Sequence, residues 1–126
     1  MIAETTEVPI FVNGVLLSRR YITTESGVAI TTADVNSVTL SVYRLVCDGT
    51  AHSIREPVEN YDAVALPVSS VILDEIEQDP DGNSYNFQYC VEGAFTASCA
   101  SYCVEYTLAM ADTHTVKIVI YARTGE

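Results

Sequence analysis

Four segments of this chain alternate apolar and polar residues at a period of two. That pattern suits a pleated strand, whose successive side chains point to opposite faces. From Val38 to Val46, the residues Val38, Leu40, Val42 and Val46 fall on one face, with Thr39 and Ser41 on the other. From Tyr85 to Val91, the apolar set is Tyr85, Phe87, Tyr89 and Val91, against Asn86, Gln88 and Glu92. Tyr102 to Leu108 repeats the pattern with Glu105 and Thr107 outward, and Val116, Ile118 and Ile120 share a face in the last segment. Met110 to His114 is short enough to close the last two segments into a hairpin. Several short strands with turn signals between them, in a chain of 126 residues, predict an all-β fold: one antiparallel sandwich with its own core. The shared periodicity puts Leu40, Val42, Phe87, Tyr89, Val104, Tyr106, Ile118 and Ile120 in that core.

The N-terminal third is weaker in pattern. Val8-Pro9-Ile10-Phe11-Val12 reads as a strand, but Pro9 has no N–H to give a ladder, which places it at an edge or in an extended arm. Asn13-Gly14 is a turn dipeptide. Residues 1–28 are therefore expected as an N-terminal arm or edge strand, and residues 29–126 as the sandwich. Between Cys47 and Val64 the chain turns polar and reads as a loop with one short strand. Val68 to Ile76 carries a serine cap candidate and apolar Val71, Ile72 and Ile76, which fits one or two helical turns before the breaker Asp79-Pro80-Asp81-Gly82-Asn83. The ten residues from Glu92 to Ser101 are long for a tight hairpin and suit a crossover between two sheets. Tyr102, at the start of the next strand, resembles the tyrosine-corner position of immunoglobulin-like domains. With no tryptophan in the chain, it is not an antibody-type domain.

The charge balance removes whole classes of partner. Six Lys and Arg against 17 Asp and Glu give a net charge of −11, which argues against nucleic acid and anionic membranes. No run approaches the ~20 apolar residues of a bilayer span, and the first residues have no basic, then apolar, signal pattern.

The reactive residue types are equally uninformative of catalysis. Cys99 and Cys103 form one loose pair while Cys47 and Cys90 stand alone, so the spacing is far from a zinc set and the thiols read as small reduced hydrophobes. Alternation points Cys90 and Cys103 away from the apolar faces of their strands. If those strands lie in different sheets, a disulfide between them is out of reach. Glu77 to Gly82 partly mimics a calcium loop, but its twelfth position is Gln88 and a strand follows. His52 and His114 sit in polar turns, no nucleophile–base motif occurs, and the single lysine, Lys117, has no phosphate-binding loop around it. The expectation is no enzyme, no cofactor and no metal.

Eight tyrosines against three phenylalanines suit sheet faces and interfaces, where a large ring is buried and its polar tip stays wet. Tyr21, Tyr43, Tyr61 and Tyr121 are freer of the core pattern than the others. The candidate partner-contact residues are Pro9, Phe11, Tyr21 and Tyr61.

Two stretches taken together carry a family resemblance: Ala29 to Tyr43, and the run from Val71-Ile72-Leu73-Asp74 through Tyr85-Asn86-Phe87 to Tyr102 to Thr107. In this order they resemble small immunoglobulin-like structural proteins of tailed bacteriophages and of phage-like blocks in bacterial genomes, over residues 29–122. The resemblance implies an immunoglobulin-like β-sandwich and a non-enzymatic virion protein, assembled in the host cytoplasm. Its implied place is a capsid decoration or cement subunit, with the major capsid protein or neck and tail proteins as partners and a homo-oligomer as a further option. The alternatives are a neck or tail accessory protein, and a receptor- or glycan-binding module. The family's motifs are specific to fold and carry no catalytic residues. The first 28 residues and the four cysteines lie outside the resemblance.

Overall fold

The alternating segments build the larger of two sheets. The computed structural model describes residues 7–47 and 53–125. In it β3 (Val35–Cys47), β8 (Ser101–Met110) and β9 (Thr115–Thr124) run antiparallel in long register. Their inward residues line up in rows: Val42 with Val104 and Ile120, Leu40 with Tyr106 and Ile118, Val38 with Leu108 and Val116. β1 (Glu7–Ile10) lies parallel to β9 at one edge, and β4 (Ser53–Pro57) and β5 (Val64–Leu66) both flank β3 at the other. The order is β1-β9-β8-β3-β4. The second sheet has three strands in the order β2-β7-β6, namely β2 (Leu16–Arg20), β7 (Ser84–Val91) and β6 (Ile72–Gln78). The fold is an all-β, immunoglobulin-like sandwich; the alternation predicts the sandwich, and the family resemblance implies its immunoglobulin-like class.

The core lies between the inner faces. Leu40, Val42, Phe87, Val104, Tyr106 and Ile120 are buried, while Tyr89 and Ile118 are half-buried and pack against the same cluster. Phe87 of the small sheet meets Tyr106 of the large one edge-on at 4.9 Å, and Tyr89 meets Tyr106 at 6.2 Å. Fully burying side chains of this size stabilises by roughly 1.5–3 kcal/mol each. The Tyr106 hydroxyl keeps one polar contact, to Ser18 Oγ at 3.4 Å, and burial pushes its pKa up to about 12.

The segment between β7 and β8 crosses from one sheet to the other. Phe95 plugs the end of the sandwich and meets Tyr102 edge-on at 5.1 Å. The Tyr102 hydroxyl accepts the Ala97 N–H at 3.1 Å, tying the crossover to the strand that follows it. This is the tie expected of a tyrosine corner. Thr124 Oγ1 adds a second tie, donating to the Ala97 carbonyl at 2.6 Å and accepting the Ala100 N–H at 2.9 Å. Cys90 and Cys103 are free thiols in different sheets, as the crossover requires; Cys99 is free as well. The side chain of Cys47 and all of His52 lie outside the described residues.

Three expectations change. The helical reading of residues 68–76 holds only for one turn, α1 (Val68–Val71), after which Ile72–Gln78 is strand β6. Pairing with β7 satisfies backbone groups that one isolated helical turn leaves open. No serine caps that turn: Pro67 stands at the N-cap, and Ser70 Oγ donates to its carbonyl at 2.8 Å. Within residues 7–28, β1 is the edge strand expected, while β2, with Leu16 and Ser18 buried, adds an edge strand to the second sheet and brings this stretch into the sandwich. Asn86, on the polar side of β7 by alternation, is fully buried. Its side chain accepts the Ile22 N–H at 2.8 Å and donates to the carbonyls of Ile22 (2.8 Å) and Ile30 (3.3 Å). It thereby clamps the connection between β2 and β3 onto the small sheet.

Candidate functional site: the β1 edge and its groove

Pro9 and Phe11, two of the four candidate contact residues, come together at the outer edge of the large sheet. They line a groove of about 830 Å³ with Ile10 and Val12 on one side and Arg123, Thr124 and Gly125 on the other. The two walls are the end of β1 and the end of β9, which the parallel pairing Pro9–Arg123 and Ile10–Thr124 brings side by side. The chain then turns sharply. Asn13 adopts a left-handed φ of 60°, its N–H bonds the Phe95 carbonyl at 2.7 Å, and the Gly14 N–H bonds the Phe11 carbonyl at 2.8 Å. A Cβ on Gly14 would sit 2.8 Å from the Phe11 carbonyl oxygen, so glycine alone fits that close approach. The turn holds the Phe11 ring out in solvent, 87% exposed. Arg123 supplies a positive charge at the far wall and donates to Ser101 Oγ at 3.1 Å.

Tyr21 and Tyr61 are elsewhere. Tyr21 is exposed just beyond β2, on the small-sheet side. Tyr61 is half-buried between β4 and β5; its hydroxyl donates to the Glu92 carbonyl and its own carbonyl accepts the Val42 N–H at 2.9 Å. Burial pushes the Tyr61 phenol up. That side chain ties a loop to the frame.

The outer face of the large sheet holds an aromatic group that alternation alone could have assembled. Cys103 stands between Tyr43 of β3 and Tyr121 of β9 in the register. Although it points outward, Cys103 is fully buried, and burial raises its thiol pKa. Arg55 of β4 lies over the Tyr43 ring at 5.4 Å and bonds Glu105 at 3.1 Å. The Glu105 hydrogen bond raises the guanidinium pKa further. Burial also raises the Cys90 thiol, so neither cysteine has the low pKa of a nucleophilic thiol.

The acidic turn resembling a calcium loop is a hairpin turn between β6 and β7. Asp79 Oδ1 accepts the N–H groups of Asp81 and Asn83 at 2.9 Å each, and Gly82 takes a φ of 84°. These backbone bonds, that of Asn83 first, lower the Asp79 pKa. Among the described residues, no three His, Cys, Asp or Glu side chains converge as a metal set. His114 is exposed in the β8–β9 turn, its Nδ1 2.9 Å from Asp112 Oδ2. That bond raises the imidazole pKa and lowers the carboxyl.

The fold and its edge groove define a β-sandwich of a general kind. No family model, curated protein or solved structure matches the chain.

Proposed function

We propose that this chain is a non-enzymatic structural protein of a tailed-phage virion, a capsid decoration or cement subunit that docks on the shell through the β1 edge. The observation that supports the reading most is the groove of about 830 Å³ beside a phenylalanine held 87% exposed by a rigid turn. A large apolar side chain fixed in solvent on an ordered frame fits the anchor of a protein interface. The resemblance of residues 29–122 to small immunoglobulin-like phage proteins supplies the setting. The net charge of −11 suits a basic patch on a shell protein.

Immunogold labelling of purified tailed particles carrying this gene, with antibody against the chain, tests the reading. Label distributed over the head, at hundreds of copies per particle, is the expected result. Label confined to neck or tail, or no label, contradicts decoration. Phe11→Asp and a deletion of residues 1–12 should both reduce incorporation. Phe11→Asp should leave the domain folded, because that ring packs on little.

A further inference from the structure

Among the described residues, β1, β4 and β5 are edge strands of the large sheet, and β2 and β6 are those of the small one. β1 carries Pro9, β4 carries Glu56 and Pro57, and β6 carries Asp74, Glu75 and Glu77. Proline and like charge keep an exposed edge from pairing with a copy of itself, whereas edges of opposite charge complement each other. β2, Leu16-Leu17-Ser18-Arg19-Arg20, has neither proline nor acid. It holds two of the six cations of a chain with 17 acids. Arg19 is already ordered: its Nε bonds Gln88 Oε1 at 2.8 Å and its guanidinium lies over the Tyr85 ring at 4.6 Å. Arg20 is exposed, with one guanidinium N–H on the Arg19 carbonyl. The opposite edge of the same sheet is acidic. Glu75 and Glu77 are exposed there, whereas Asp74 accepts the N–H of Thr32 at 2.8 Å. The two edges also carry exposed apolar side chains, Leu17 at 49% on β2 and Ile76 at 51% on β6.

We propose that copies of this chain associate head to tail through the small sheet, the basic β2 edge of one copy adding to the acidic β6 edge of the next. Both strands run antiparallel to β7 and are therefore parallel to each other. A copy added without inversion presents its β2 parallel to its neighbour's β6. The edges are staggered, because β2 spans Phe87 to Val91 of β7 while β6 spans Ser84 to Phe87. Each added copy must slide along the strand direction to bring Arg20 against Glu75 and Glu77, which alternation places on the same face of the sheet. A heterologous contact with such a shift closes into a ring or grows as a helix. The long-range repulsion between acidic copies is screened beyond roughly 8–10 Å at ordinary salt, so the local pairing decides. The proposal is independent of a virion role.

Sedimentation velocity of the full chain across a concentration series, in about 0.15 M salt, tests it. The wild type should form species larger than a dimer as concentration rises. Arg20→Glu and the pair Glu75→Lys/Glu77→Lys should each weaken self-association at least tenfold, with unchanged circular dichroism. Mixed in equal amounts, the two variants should associate again, because the acidic β6 edge of the first meets the basic β2 edge of the second and the two charge-reversed edges also complement each other. A wild type that stays monomeric throughout overturns the proposal. So does a Glu75→Lys/Glu77→Lys variant that self-associates as the wild type does, and so does a mixture that stays monomeric.

Discussion

In the large sheet, β8 pairs with β9 without a break from Ser101–Arg123 to Ala109–Thr115, and β3 follows it with a single irregularity near Val35. In the small sheet, β6 meets β7 at Ile72–Phe87 and again at Glu77–Tyr85 and Gln78–Ser84, with an irregularity between. Side chains reinforce the smaller ladder. Asn86 clamps the β2–β3 connection, Arg19 reaches across to Gln88 and Tyr85, and Asp74 holds Thr32. Long runs of alternating residues are enough to hold a sheet of paired rows. A short, irregular sheet relies more on individual polar contacts, and single substitutions should therefore act differently in the two.

The largest effect is expected where the sheets meet. Tyr106→Ala removes a fully buried ring that contacts Phe87 and Tyr89, and should cost about 3–5 kcal/mol by denaturant unfolding, in the range of large-to-small aromatic substitutions. A loss under ~1 kcal/mol would mean the sheets do not depend on this contact. Asn86→Asp tests the polar clamp. The carboxylate still accepts from Ile22 but can no longer donate to the two carbonyls, and a buried charge is left behind. A loss of about 3 kcal/mol at neutral pH is expected. Burial and the carbonyls raise the introduced carboxyl's folded pKa, so the variant's deficit should be small in acid. It should widen as pH rises through the unfolded value of about 3.9. A deficit independent of pH would place the clamp's importance in shape instead.

Tyr102→Phe is smaller. It keeps the ring against Phe95 and removes the acceptor of the Ala97 N–H, for an expected loss of about 1 kcal/mol; Tm by calorimetry reads it. Least of all is Asp112→Asn in the exposed β8–β9 turn. NMR titration of His114 should give a midpoint above the ordinary histidine range in the wild type and a lower one in the variant. The His114 part of this linkage is fully present below the imidazole's unfolded pKa and is lost as pH rises through its raised folded pKa. The Asp112 part is present above the carboxyl's unfolded pKa and is lost as pH falls through its lowered folded pKa. An unchanged midpoint would remove Asp112 as the cause.

The same contrast explains what could be read in advance. β3, β7, β8 and β9 are long enough for alternation to declare them, and the crossover followed from the length between Val91 and Ser101. β6 did not declare itself, since Val71-Ile72-Leu73 is apolar without a period and only its partner β7 makes it a strand. Asn86 read as outward, and in the strand's own frame it is; a connection 56 to 64 residues away folds over it. Local pattern carries no trace of such a contact. At the groove, Pro9 and Phe11 were legible as an edge proline and a stray aromatic. Arg123 and Gly125 were not, because the parallel pairing of β1 with β9 joins opposite ends of the chain.

The docking role of the β1 edge is tested most directly by photo-crosslinking in assembled particles. A photoreactive amino acid placed at Phe11 should yield an adduct with the shell protein. The same group at Val28, which is 63% exposed but distant in the chain from the groove, should yield none. Shell adducts from Val28 and none from Phe11 would contradict the account.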